Sequence, residues 1–322
     1  MKAAVYTGYG SSDVVRIENV ATPAPRPNEV LVRVRAAALN PLDWRLMRGR
    51  PPALRLLFGL RKPRLRPGRD VAGTVEAIGA NVSALRPGDA VFGPCFGALA
   101  EYACAKESKV VLKPDALTFE QAATLPVAGS TALQALRDFG LIARGQNVLV
   151  NGAAGGVGTF AVQIAKSFGT TVTGVCSTGN LELVRAIGAD HAVDYTHEDF
   201  TRSTQPYDLI CDCVGNRPPS ELARALQPNG TCVIAGAPHE MTTAALLGYL
   251  ILPRLASRPN GRRFRTFIAR LRTDDLAALA SLVERATIAP VIDRRYALEE
   301  TAAAIAYLEA GHARGKVLIL PQ

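Results

Sequence analysis

Residues 147–169 read NVLVNGAAGGVGTFAVQIAKSFG. A short apolar run enters a glycine cluster and an apolar, alanine-containing stretch leaves it. In that strand–turn–helix context a weak glycine pattern becomes a dinucleotide-binding fingerprint. Gly155 and Gly158 take its second and third places, with Ala153 at the first. A side chain at 155 would obstruct a pyrophosphate, whose negative charge the start of the following helix favours. Downstream, TVTGVC, LELVRAIG, HAVDY, YDLICDCVG, PSELARAL and TCVIAG continue the alternation. That rhythm predicts a doubly wound parallel sheet.

Upstream the pattern is different. KAAVYT (2–7), VVRIENV (14–20), EVLVRVRAAAL (29–39), VAGTVEAIG (71–79), DAVFG (89–93) and AEYACA (100–105) are β-type runs, with a Pro-rich connector at 22–29 and a turn at RPGD (86–89). Short strands at this spacing predict a barrel-like β unit. TFEQAATL then opens with Thr118 and Gln121 spaced as a capping box. STALQALRDF (130–139) has helical periodicity, and beyond 273 two amphipathic helices precede a last strand, KVLIL (316–320).

The 322 residues carry 37 basic and 28 acidic side chains, a formal charge of +9. The excess is clustered. Between Asp43 and Asp70 stand nine cations and no acid, and a second block runs from Arg254 to Arg272. Solvated faces explain most such runs; an anionic ligand or a membrane surface is the sharper reading. Nucleic acid is a minor option, because stacking aromatics do not interleave the charges. Six cysteines without a CxxC pair argue against a disulfide scaffold or structural zinc. The N-terminus has no secretory pattern, and the uncharged run MTTAALLGYLILP (241–253) is short for a membrane span. The expected compartment is a reducing cytoplasm.

Cofactor choice is read at the end of the second αβ strand. An NAD site usually has a carboxylate there for the ribose 2′-OH. Here TVTGVC runs into Ser177, Thr178, Gly179 and Asn180, with no acid before Glu182. Hydroxyls and an amide suit a 2′-phosphate, and Tyr195, ending HAVDY, is a further contact. Ser177 or Thr178 would also serve as helix caps.

With these residues in hand, the chain resembles the medium-chain dehydrogenase/reductase superfamily, in its zinc-free NADPH:quinone oxidoreductase branch. The collinear marks are MKAAVYTGYG, ALNPLDWRLMRG (38–49), PGRDVAGTVEAIG, RPGDAVFG, AATLPVAGSTALQAL (122–136), NGAAGGVGTFAVQIAK, GVCSTGNLELVRAIGADHAVDY and GHARGKVLIL (311–320). The resemblance implies an α/β chain with a GroES-like β-barrel catalytic domain (1–120, completed by about 260–322) and a Rossmann domain (121–259). The cofactor would be NADPH, with NADH weaker, lying in the cleft, and the assembly a homodimer. Asn40, Asp43 and Thr131 would be catalytic, with Trp44 and Arg45 toward substrate. Ala154, Gly155, Gly156, Val157, Gly158, Ser177, Thr178, Asn180, Tyr195, Cys213, Gly236, His312 and Arg314 would hold the cofactor. An equal reading of Asp43 is a helix cap.

Two departures stand out. Relatives often read CSTRN where this chain reads CSTGN, so Gly179 removes an arginine that could clamp the 2′-phosphate. Zinc-dependent members carry Cys and His-Glu where this chain has Asn40 and Arg69-Asp70. Arginine has no lone pair to donate, so no metal is expected. The implied activity is hydride transfer from NADPH to a quinone or α,β-unsaturated carbonyl. Alternatives are an enoyl-thioester reductase and a low-turnover NADPH-binding interaction protein.

Overall fold

A computed structural model of the chain describes residues 1–202, 205–238, 242 and 261–321. The uncharged run at 241–253, Thr242 apart, and the 254–260 part of the second basic block lie outside the described residues. No helix among the described residues is long and apolar enough to cross a membrane. The chain divides into two units: Met1–Ser130 with Leu271–Ala286 and Ile292–Gln322, and Thr131–Arg270 with Thr287–Val291.

In the first unit, β1 (Lys2–Tyr6) and β2 (Val15–Asn19) pair antiparallel. The following strands are β3 (Glu29–Ala38), β4 (Asp70–Ile78), β5 (Ala90–Pro94), β6 (Tyr102–Lys106) and β7 (Val111–Leu112). The second unit contributes β8 (Asn147–Asn151), β9 (Thr171–Cys176), β10 (His191–Asp194), β11 (Tyr207–Asp212), β12 (Leu226–Ile234) and β13 (Arg263–Thr266). The chain then returns to the first unit with β14 (Ile292–Ala297) and β15 (Lys316–Leu320).

The organiser of the first unit is β3. Val30, Val32 and Val34 are buried while Arg33 and Arg35 are exposed, the period-two pattern of a half-buried strand. One edge pairs with β4. The other serves two partners in turn, β6 along Glu29–Arg33 and β15 at Ala37 and Ala38. The seven-stranded sheet therefore runs β14-β15-β3-β4-β5-β7, with β6 on β3. Its apolar side joins Val71, Val75, Val91, Val317 and Ile319 in one core.

The capping box forms as read: Thr118 N donates to Gln121 Oε1 at 2.9 Å, and Gln121 N to Thr118 Oγ1 at 3.1 Å. The helix it starts is less regular than its periodicity predicts. Wide turns occupy Leu125–Gly129 and Ala135–Phe139, with Ser130 N reaching Leu125 O and Gly140 N reaching Ala135 O. Pro126 has no N–H for the normal ladder, and the widened turn frees the Val127 amide for a partner outside the helix.

The second unit is a parallel sheet in the order β10-β9-β8-β11-β12-β13. Numbered within the sheet this is 3-2-1-4-5-6, the doubly wound dinucleotide-binding order. Runs such as VLV, LIC and CVI are apolar throughout because helices cover both faces of such sheets. The strand order reverses between β8 and β11, which pair from Val148–Leu209 to Asn151–Asp212. The crevice beyond those two strand ends is the general ligand position in open αβ sheets.

Candidate active site

At the reversal point the chain leaves β8 through Gly152, which takes φ +78 and so makes the tight turn. The fingerprint puts Ala153 at the turn position, but the conformational demand falls one residue earlier, at Gly152. Ala153 is instead fully buried. Gly155 caps the helix Gly156–Ser167. A Cβ on Gly155 would meet nothing closer than Gly152 O at 3.4 Å, so the turn is open there. A Cβ on Gly158 would stand 2.0 Å from Gly152 O, so that glycine is needed by the fold itself. Ala154 is buried, while Gly156 and Val157 are partly exposed in the first helical turn.

Asn151 and Asp212 close the ends of the two central strands. Asn151 Nδ2 donates to Asp212 Oδ1 at 2.8 Å, and the same oxygen accepts from Val214 N and Gly215 N, both at 3.0 Å. This carboxylate thereby shapes the turn that carries Cys213. Gly236 N and Ala235 N reach Asp212 O, which ties the end of β12 to the same turn. Burial pushes the Asp212 carboxyl up from its ordinary value. The Cys213 thiol is held well above its usual range by its bond to Cys211, 3.8 Å away, and by burial. Neither Asn151 nor Asp212 belongs to the glycine fingerprint in the sequence. Their signal was a polar residue ending each apolar strand, NVLVN and YDLICD.

At the end of β9, Asn180 Nδ2 donates to Ser177 Oγ at 3.0 Å, and Thr178 Oγ1 lies 3.2 Å from Thr196 Oγ1. Tyr195, 56% exposed, is joined to the same place by its backbone bond to Cys176 O. The structure thus brings Ser177, Thr178, Asn180 and Tyr195 together. Ser177 makes no side-chain cap bond, and the helix Leu181–Ala186 is instead preceded by Asn180 at its cap position. Glu182 is the first acid after this strand in sequence, but Asp194 of the neighbouring strand stands at its end in space. Its Oδ1 accepts from Thr196 N at 2.9 Å and Thr196 Oγ1 at 2.7 Å. The Thr178 hydroxyl beside it holds its carboxyl below the usual range. Linear distance concealed it, because Asp194 arrives on the neighbouring strand.

These features fit a dinucleotide. The open position at Gly155 leaves room for a phosphate bridge. Two acceptors, Asn180 Oδ1 and Asp212 Oδ2, are buried without a hydrogen-bond partner. A buried acceptor left unmade is costly, and ribose hydroxyls are donors of the right kind.

The first unit holds a second polar cluster. Asn40 caps the helix Pro41–Arg48, its N–H donating to Asp43 Oδ2 at 2.8 Å. The other oxygen of Asp43 accepts from Gly68 N at 2.8 Å. Asp43 is therefore a third-position capping carboxylate that also pins the 68 turn. Burial pushes its carboxyl up to about 6 against the pull of those two amides. Asn40 is 3% exposed. Its Nδ2 donates to Asp70 Oδ2 at 2.9 Å and Ala38 O at 3.3 Å, and its Oδ1 accepts from Lys316 Nζ at 2.7 Å. In this arrangement Asn40 has no amide hydrogen left for an acceptor carbonyl. Its side chain instead ties the ends of β3, β4 and β15 together.

Lys316 Nζ also reaches Leu39 O at 2.8 Å and Asp70 Oδ2 at 3.4 Å. Burial lowers the lysine and raises Asp70 from their ordinary values. Three acceptors surround Nζ, the number that the three hydrogens of an ammonium can satisfy. Asp70 Oδ1 takes the Val127 N–H, at 3.1 Å, that the widened helix turn released. Arg69 stacks over Phe96 at 4.1 Å.

The remaining expected residues lie as follows. Trp44 is 6% exposed in the core of the first unit, with the Arg45 guanidinium 4.7 Å over its ring. His312 and Arg314 are exposed in the first unit, on the loop before β15, where Arg314 N donates to Asp293 Oδ2 at 2.9 Å. Thr131 is nearly buried in the helix Ser130–Gln134.

Among the described residues no group of three or more His, Cys, Asp or Glu is placed to hold a metal ion. The donor set where the resemblance puts zinc does not suit it: an arginine, an amide and a carboxylate already bonded to an ammonium.

Comparison with known proteins agrees across the chain. Residues 26–115 match the alcohol dehydrogenase GroES-like domain, and residues 187–319 match the family described as zinc-binding dehydrogenase. The chain is 37% identical over its full length to 79% of a 2-methylene-furan-3-one reductase from Solanum lycopersicum. It is 36% identical, again over its full length, to 80% of an NADPH-dependent alkenal/one oxidoreductase, chloroplastic, from Arabidopsis thaliana. The quinone oxidoreductase of Coxiella burnetii superposes with TM-score 0.88 at 32% identity, covering 100% of this chain and 99% of that one.

Proposed function

The chain belongs to the medium-chain dehydrogenase/reductase superfamily, and on that premise we propose that it is a zinc-independent oxidoreductase passing hydride from NADPH to a quinone or an α,β-unsaturated carbonyl. The observation that carries this reading is the Asn40–Asp70–Lys316 cluster, whose ammonium takes up the acceptors a metal would need. Acceptors that delocalise the incoming charge need no Lewis acid; a plain ketone develops a localised alkoxide and does.

Bound NADPH supplies the hydride. The protein's part is placement. The turn at Gly152–Gly158 receives the pyrophosphate, Asp212 holds the 213–215 turn, and Ser177, Thr178, Asn180 and Tyr195 receive the 2′-phosphate end. Thr131 would stand beside the nicotinamide, and Asp43 holds the Asn40 and Gly68 amides. Arg45, stacked on the core residue Trp44, would border the acceptor.

Cofactor absorbance followed with 1,2-naphthoquinone, an enal and a plain ketone in parallel tests the reading. Turnover of the first two, unchanged by chelator, is expected. Robust turnover of the ketone alone, or activity lost with stoichiometric zinc, would sink it. No turnover with any acceptor would favour a binding protein.

Selectivity for NADPH over NADH should be modest, since Gly179 brings no guanidinium and Asp194 stands close behind Thr178. Ser177→Asp should reverse it, by setting a second carboxylate against the 2′-phosphate. Losing a charge-assisted contact costs about 1.5–3 kcal/mol, roughly ten- to a hundredfold in affinity. Calorimetric titration of both cofactors reads this directly, and NADH binding equally or more tightly to the unaltered protein would refute the assignment.

A further inference from the structure

The stretch Arg50–Arg66 is unlike the rest of the first unit's surface. Leu56, Leu57 and Leu60 are 77%, 75% and 70% exposed. Around them Arg50, Arg61, Lys62, Arg64 and Arg66 are exposed as well, and residues 44–69 contain no acid. The leucines are not loose core residues waiting to turn inward. The inner side of the short helix Ala53–Phe58 is already secured: Phe58 packs on the core, and Arg55 donates to Gly49 O at 3.2 Å with its guanidinium 4.6 Å over Tyr9. The Tyr9 hydroxyl in turn donates to Gly59 O. With that side fixed, the leucines are held outward.

We propose that this segment seats the protein on an anionic lipid surface, the leucines entering the acyl boundary and the five cations lying among the headgroups. Side chains this exposed suit insertion into a fluid layer, and the charge around them has the sign anionic headgroups attract. A second copy of the chain is a poor occupant. A two-fold contact would set this cationic patch against itself. Nucleic acid would answer the cations but leave three leucines in contact with phosphate and water. The inference does not depend on which acceptor the enzyme reduces.

Sedimentation with vesicles of phosphatidylcholine alone, or mixed in equal parts with phosphatidylglycerol, tests it on the full chain. Binding should be confined largely to the mixed vesicles. It should fall steeply in about 1 M salt, where the screening length is about 3 Å. The triple variant L56S/L57S/L60S should bind at least about tenfold more weakly. R61E/K62E/R64E should lose about fivefold or more per charge. NADPH affinity and turnover of a soluble acceptor serve as folding controls and should be unchanged in both variants. Equal binding to both vesicle types, no binding to either, or undiminished binding of the leucine variant would overturn the proposal. So would conversion of an oligomer to a monomer by the leucine substitutions, which would assign the patch to a second copy.

Discussion

Gly155→Val should lose NADPH binding by two orders of magnitude or more while melting close to the unaltered protein. The reason is the contrast between two glycines in one turn. A Cβ at 155 meets only Gly152 O, at an ordinary 3.4 Å, and Gly155 itself has a negative φ that any residue adopts. The added side chain therefore occupies the space a pyrophosphate would enter without disturbing the protein. Forfeiting two charge-assisted bonds of about 1.5 kcal/mol each already corresponds to a factor of roughly 150. Gly158→Val is the matched opposite. Its Cβ would overlap Gly152 O at 2.0 Å, so stability and binding should fall together. Fluorescence titration with NADPH beside thermal melting separates the two. Tight binding by Gly155→Val would remove this turn from the cofactor site.

Lys316→Met should destabilise the fold by about 3–5 kcal/mol, the typical result of stripping one partner from a buried ion pair. The loss comes from what stays behind: Asp70, fully buried, would keep its charge with only the Asn40 amide and Val127 N–H to answer it. The pH dependence follows from the same carboxyl. Burial already raises Asp70 above its ordinary value, and removing the ammonium raises it further. A carboxyl whose folded pKa is raised contributes stability that is present below its unfolded pKa and lost as pH climbs through the folded one. The deficit of Lys316→Met should therefore be smallest in mild acid and grow toward neutral pH. Adding Asp70→Asn removes the stranded charge, so the double variant should recover part of the loss; urea unfolding of both singles and the double measures the coupling. A single-variant cost below about 1 kcal/mol, in the range of an exposed pair, would mean that the cluster is not ionic.

What could be read along the chain was whatever short-range pattern encodes. Apolar runs at period two became β3 and its neighbours, and strand–helix alternation became the 3-2-1-4-5-6 sheet. Thr118 and Gln121 close a box that needs only a three-residue spacing. Gly155 and Gly158 announced a turn because their neighbours on both sides were a strand and a helix.

Register and pairing across long separations were decided only in three dimensions. Lys316 and Asp70 stand 246 residues apart and meet because β15 pairs with β3 at Ala37 and Ala38 while β3 pairs with β4 at Asp70. Shifting either pairing by one residue would turn those side chains to the opposite face. Asn40 looked like a free amide in sequence and proves fully engaged for the same reason. Asp194 reaches Thr178 through the neighbouring strand, and Asp212 orders a turn through Asn151 on another. The outward leucines belong here too: only packing shows that Phe58 and Arg55 take the inner side of their helix. Local spacing specifies which elements form, because backbone propensity and periodicity act within a few residues. Which polar groups meet depends on the packing of distant strands, and that free energy is not written in any single segment.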